Sequence, residues 1–252
     1  MKIFGMMRPG TADAVTIGNA LCGAAAIGIV IATPWAPSGA GEDEILRIVT
    51  LIVLVGAVLD VCDGAVARAF GGTPLGPYLD SLADAVTFGI APAVAVGGLA
   101  IRHSTAAESV ALGVAILAYV TAALVRLADF DAGRSREHTF TGLPSPLAGA
   151  ALLSVGLLAL SPWLTAAGIL LIGWFMVSGI RYPRHRGIWL VAMVIWLAIA
   201  LVGLFGLIDV RIPAALMLVG GLVLAPVTFA MMARRTGRPN AAIEVPIEPA
   251  EP

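Results

Sequence analysis

Charge is scarce in this sequence. Asp, Glu, Lys and Arg make up 12% of its 252 residues, about half the share found in an ordinary soluble domain. A soluble chain of this size needs a polar shell, and fifteen basic and sixteen acidic side chains cannot supply one. The formal net charge of −1 excludes a basic nucleic-acid binder, so no nucleic-acid partner is expected. Cysteine is nearly absent as well. Cys22 and Cys62 fall in or beside apolar runs and no CxxC pair occurs, which argues against a disulfide scaffold, a zinc site or redox work. There are three histidines, and His103, His138 and His185 all fall in connections, where solvation is the expectation. What the chain has in abundance is apolar surface: 59% of its residues and a mean hydropathy of +0.97. These values describe an integral membrane protein.

A helix needs about 20 mainly apolar residues to cross a bilayer. Such runs occur near 14–33, 45–60, 85–101, 108–126, 146–160, 164–180, 188–208 and 213–233. The expected fold is an all-α polytopic membrane protein with about eight transmembrane helices. Six spans with two re-entrant pieces is the alternative. The run at 45–60 is short and is expected to continue as helix past the membrane surface. The N-terminal run is read as a first span, since no A-x-A-like cleavage context stands out. With both termini in the cytoplasm, twelve of the fifteen basic residues fall on the cytoplasmic side and only Arg47, Arg102 and Arg211 on the other, as the positive-inside rule requires. Two regions follow: a membrane-embedded domain over 1–235, and a Pro- and Glu-rich tail over 236–252 expected to be disordered in the cytoplasm. The acidic GEDE stretch at 41–44 reads as a solvated outer loop.

Four aspartates stand where two apolar runs meet, in VLDVCDGAVARAFGGTPLGPYLDSLADAVTFG. Asp60 and Asp63 are three apart, and Asp80 and Asp84 four apart. Both spacings put a pair on one helix face. If the two helices pack antiparallel about the turn at 71–77, the pairs face one another. Carboxylates converging at a membrane surface repel unless a cation lies between them, which points to hard divalent ions, Mg²⁺ or Mn²⁺, with oxygen ligands. Around them, Gly64, Ala65 and Ala67 leave one face nearly bare. Arg68 lies one turn beyond Gly64, placed to pair with phosphate. Gly71-Gly72-Thr73-Pro74 offers backbone N–H groups and a hydroxyl. Together these residues suit a metal-bound diphosphate.

The pattern Asp60-x-x-Asp63-Gly64-x-x-Ala67-Arg68, then Gly76-x-x-x-Asp80-x-x-x-Asp84, resembles the signature of the CDP-alcohol phosphatidyltransferases. Its spacer, residues 69–75, is one residue shorter than the usual form. Five stretches resemble the bacterial phosphatidylserine synthase branch: PGTADAVTIGNALCGAAAI (9–27), LDSLADAVTFGIAPAV (79–94), ALVRLADFD (123–131), FTGLPSPLAG (140–149) and FMVSGIRYP (175–183). Position 10 is Gly where relatives often have Asn. The resemblance implies a bacterial inner-membrane enzyme, homodimeric, with its active site on the cytoplasmic side. It implies that Asp60, Asp63, Asp80 and Asp84 ligate two Mg²⁺ or Mn²⁺ ions and that Asp84 also acts as general base. Gly64, Ala67, Arg68, Thr73 and Gly76 would line the CDP-lipid site, helped by Thr16 and Asn19 from the first helix, unless those two serve only as helix-packing hydrogen bonds.

The reaction implied is transfer of a phosphatidyl group from CDP-diacylglycerol to the hydroxyl of L-serine, releasing CMP. In-line displacement is expected, since no Ser or Cys sits beside a base as a nucleophile would. Arg126 and Arg181 stand at cytoplasmic helix ends, where they either fix the serine carboxylate or act only as positive-inside anchors. A sister enzyme using glycerol 3-phosphate or inositol phosphate would share every aspartate and differ in the alcohol pocket. A secondary transporter would also use membrane carboxylates, but would spread them along a pathway and commonly show an internal repeat, which this sequence lacks.

Overall fold

The computed structural model describes residues 10–33, 41–132, 139–183 and 199–224. Four helices among them are long and apolar enough to cross a membrane. Helix α1 is Thr11–Ala32 and α2 is Glu42–Phe70, 29 residues that continue well past the apolar run, as expected. The third begins as α3, Gly76–Asp84, passes through a π-helical turn at Ala85–Ile90 and continues as α4, Ala91–Ile101. The fourth is α5, Ala106–Asp131. Shorter apolar helices follow: α6 at Ser145–Leu157, α7 at Pro162–Val177 and α8 at Arg211–Met217, which runs into a π turn at Leu218–Leu224. Residues 199–204 are also helical. The runs expected at 14–33 through 164–180 are thus present as helices. Those at 188–208 and 213–233 lie partly outside the described residues, as do the tail, His138 and His185.

Local chemistry sets the boundaries. The GEDE stretch is the first turn of α2 rather than a loop, because Glu42, Asp43 and Glu44 favour the positive end of the helix dipole. Helix α2 stops at Gly71, whose φ of +89° few other residues adopt, with its N–H on the Ala67 carbonyl. At the start of α5, Thr105 and Glu108 form a reciprocal cap.

The α3–α4 helix is the most enclosed of the four long ones and touches α1, α2, α5, α6 and α7. Its π turn has an identifiable cause. Pro92 has no N–H to give the carbonyl of Phe88, four residues earlier. The Tyr119 hydroxyl, fully buried on α5, donates to that carbonyl at 2.8 Å instead. The Thr87 hydroxyl donates to the Asn19 carbonyl on α1 at 2.8 Å. Small residues let the backbones approach: a Cβ at Gly23 would sit 2.7 Å from the Thr87 Cα, and one at Gly149 3.2 Å from the Phe88 Cα. Large apolar side chains such as Val114, Leu117, Leu171 and Trp174 point outward, as lipid-facing surface should.

Among the described residues, two three-residue strands depart from the otherwise helical pattern. Thr139–Thr141 (β1) pairs antiparallel with Arg181–Pro183 (β2), Phe140 opposite Tyr182. Gly142, at φ +79°, follows β1, and any Cβ there would collide with the Met176 carbonyl at the end of α7. The FTGLPSPLAG and FMVSGIRYP stretches, well separated in sequence, are therefore one structural unit.

Candidate active site

The site lies at the α2–α3 connection. Asp60 comes from α2, and Asp80 and Asp84 from α3, one and two turns after the helix starts at Gly76. Each of the three can place a carboxylate oxygen within 4.8 Å of the others. All three are partly buried, and Asp84 Oδ1 is fully buried with no hydrogen-bond partner among the described residues. The antiparallel arrangement expected from the spacing is what brings these groups together across the turn.

Asp63 stands apart from the trio. It is 8% exposed, and its Oδ2 accepts the Thr16 hydroxyl of α1 at 2.7 Å. It remains close enough to interact electrostatically with Asp60, Asp80 and Asp84. The reason is rotational: residues three apart on a helix differ by about 60° around its axis, and α1 lies against the Asp63 side of α2. Four aspartates on one connection thus become three that face each other and one that ties the site to α1.

Arg68 is exposed, and its guanidinium folds back over Gly64, where an added Cβ would lie 3.4 Å from Nη1. Ala67, between them, is half-buried. Asn19 is fully buried one turn deeper than Thr16, and neither its amide nitrogen nor its oxygen has a partner among the described residues. Its oxygen faces Gly56, one turn before Asp60, where a Cβ would stand 2.9 Å away. Arg126, 8% exposed on α5, interacts with Asp129 and Asp84. Ser81 donates to Asp131 at 2.9 Å, joining the end of α5 to α3. Arg181 belongs to β2, opposite Thr141; its side chain lies outside the described part.

Thr73 is engaged within the protein. Its hydroxyl donates to Asp13 of α1, 2.8 Å from Oδ2 and 3.0 Å from Oδ1, and accepts the N–H groups of Leu75 and Gly76 at 3.2 and 3.1 Å. Asp13 is a site residue that sequence reasoning misses. It sits beside an apolar run, and its partner is 60 residues away, so no local spacing marks it.

Chemically, the trio offers only oxygen ligands, one of them buried and without a hydrogen-bond partner among the described residues. That set fits a hard divalent cation and suits neither zinc nor copper. Nearby are an exposed guanidinium and a nearly bare helix face, as an anionic substrate requires.

Comparison with known proteins agrees. The family model for CDP-alcohol phosphatidyltransferase matches residues 10–204. The chain is 31% identical over 175 residues to a CDP-diacylglycerol–serine O-phosphatidyltransferase of Bacillus subtilis, covering 68% of this chain and 89% of that protein. It is 32% identical over 149 residues to an archaetidylserine synthase of Methanothermobacter thermautotrophicus, 58% of this chain and 62% of the relative. It is 34% identical over 178 residues to a CDP-diacylglycerol–serine O-phosphatidyltransferase of Mycobacterium leprae, 60% of this chain and 57% of the relative. Against these last two, the chain spans less than two thirds of the relative. With its aspartate pattern, its helical membrane architecture and a match over more than three quarters of its length, this chain belongs to the CDP-alcohol phosphatidyltransferase family.

Proposed function

We propose that the protein transfers a phosphatidyl group from CDP-diacylglycerol to the hydroxyl of L-serine, giving phosphatidylserine and CMP. The convergence of Asp60, Asp80 and Asp84 within 4.8 Å carries the metal-dependent transfer. The relatives, serine transferases and an archaetidylserine synthase, support serine as the acceptor.

Asp60, Asp80 and Asp84, with Asp63 beside them, would hold the Mg²⁺ or Mn²⁺ ions, expected to be two. Bound there, the metal supplies charge neutralisation for the diphosphate and for departing CMP. The chain's own residues do the rest. Gly64 and Ala67 leave room for the substrate diphosphate against α2, and Arg68 can donate to it from the rim. Asn19 and Thr16 border the site from α1, the first with an unsatisfied amide and the second through Asp63. Asp84 takes the proton of the serine hydroxyl as its oxygen bonds to phosphorus and the bond to CMP breaks. Such general-base assistance is worth about 10²–10⁴-fold. Arg126, beside Asp84, is placed to hold the serine carboxylate, and Arg181 is the second candidate for that role. No covalent enzyme intermediate is needed.

In the same reading, eight spans place both termini and the aspartates on the cytoplasmic side of a bacterial inner membrane. The twelve-to-three division of basic residues supports this. The enzyme works as a homodimer, as the family resemblance implies, and the tail at 236–252 forms a separate extension.

The test is CMP release by purified protein in detergent, with CDP-diacylglycerol and Mn²⁺ or Mg²⁺. Serine, glycerol 3-phosphate and inositol phosphate are supplied singly beside an Asp84→Asn control. Release that needs serine and metal, and is lost in the control, is expected. Release with another acceptor alone would keep the mechanism and overturn the substrate.

A further inference from the structure

Asp13 is a buried carboxylate that the reaction does not use. Only 1% of it is exposed. It lies where two helices begin, with the Gly10 N–H at the start of α1 on its Oδ2 at 2.7 Å and the Thr73 hydroxyl spanning both oxygens. That hydroxyl in turn accepts backbone N–H groups at the start of α3. The bonds form one directed chain, from the α3 backbone to Thr73 to Asp13, which also receives the α1 backbone. A carboxylate suits this place because every neighbour donates and both helix dipoles present their positive ends. An amide would turn a donor toward donors.

Glycines let the clamp close. A Cβ at Gly10 would sit 3.0 Å from Thr73 Cγ2, and one at Gly76 would sit 3.4 Å from Asp13 Oδ1. Gly76 belongs to the sequence pattern that carries the family resemblance, and it sits against Asp13. Three residues along α1, on the same face, Thr16 holds Asp63 of α2. Helix α1 therefore grips both sides of the aspartate site, α2 through Thr16 and α3 through Asp13. Residues 71–75, with two glycines, cannot fix that relation alone.

We infer that Asp13 and Thr73 are a positioning pair: they set the start of α3, and with it Asp80 and Asp84, against Asp60 of α2. Thr73 then acts on the site through α3, with its hydroxyl committed to the clamp instead of to CDP. This rests on the metal-dependent reading above. Direct hydrogen-bond partners of metal ligands typically change metal affinity by about 10–100-fold; the clamp acts one step further out, through the α3 backbone, so the lower end of that range sets its scale.

The experiment compares wild type, Asp13→Asn, Thr73→Val, Thr73→Ser and the Asp13→Asn/Thr73→Val double variant in detergent. Mn²⁺ binding is followed by electron paramagnetic resonance without substrate, and KM and kcat for CMP release are measured beside it. The clamp predicts Mn²⁺ binding weakened about 10-fold in Asp13→Asn and in Thr73→Val. It also predicts near-wild-type binding in Thr73→Ser, and a double variant no worse than the weaker single one. Unchanged Mn²⁺ binding in folded Thr73→Val would overturn it. So would losses that add in the double variant with KM for CDP-diacylglycerol alone raised by Thr73→Val, which would mark Thr73 as a direct substrate contact. Because metal binding is read without substrate, a different acceptor would change the CMP-release result and leave the Mn²⁺ result for the clamp as it stands. If Asp13→Asn fails to fold, the two Thr73 variants decide.

Discussion

Helices α2 and α3–α4 meet at two ends, with acids at each, and the two ends treat them in opposite ways. Where α2 begins and α4 ends, Glu42 meets bases: His103 Nε2 is 3.2 Å away and Arg102 Nη1 4.0 Å, while Arg102 also donates to the Val30 carbonyl at 3.0 Å. These groups are half-exposed to exposed, and such a pairing anchors helix ends at little cost or gain. At the other end, acid meets acid. Two unit charges 4.8 Å apart repel by roughly 3 kcal/mol at an effective dielectric constant of about 20, and each aspartate of the trio faces two others. A fold gains nothing by assembling that repulsion for its own sake. The paired end serves the architecture; the crowded end, where Arg126 interacts with Asp84, gathers oxygen ligands that could hold a metal ion.

Neutralising the crowded end should have the largest effect. Asp60→Asn is expected to lower kcat/KM for CMP release by at least about 10²-fold while relieving repulsion, so that metal-free protein melts no lower than wild type. A thermal scan beside the activity assay checks both halves, and a fall in both would mean Asp60 is structural. Removing metal with a chelator should abolish release in wild type and restore it on adding back Mn²⁺, whereas chelation should not touch the Glu42 end.

Smaller effects belong to the supports. Thr16→Val takes the hydrogen bond from Asp63 and should weaken Mn²⁺ binding by about 10-fold; a metal titration measures it. Tyr119→Phe leaves the buried Phe88 carbonyl without its donor and is expected to cost about 1–3 kcal/mol of stability, seen as a lower melting temperature at a site between the two ends. Smallest of all, Glu42→Gln should change stability by less than about 1 kcal/mol and leave CMP release unaltered. Lost activity in that variant would erase the contrast between the ends.

Several of these features are visible in residue order alone. The apolar runs locate the long helices, since about 20 apolar residues have few other uses, and the i, i+3 and i, i+4 spacings flag the aspartates. The stretches 140–149 and 175–183 stand out as family markers, yet nothing in their order shows that they pair through β1 and β2 with Gly142 against the end of α7. Glu42 reads as loop in the sequence and is helix in the structure, because an acidic cluster after a turn is equally a helix start. The π turn is hidden too: Pro92 can be read, but the Tyr119 hydroxyl that relieves it comes from another helix.

What the sequence determined by itself was whatever depends on neighbours along the chain: apolar helices long enough to span a membrane, the approximate position of each long helix, and the four aspartates of the α2–α3 connection. Only the tertiary structure decided how that set divides. It turned Asp63 toward Thr16, gathered Asp60, Asp80 and Asp84, and linked Asp13 to Thr73 across 60 residues. The physical reason is that helical periodicity fixes which residues share a face, while the helix that packs against that face, and so the partner each buried polar group finds, is chosen by the packing of the whole bundle.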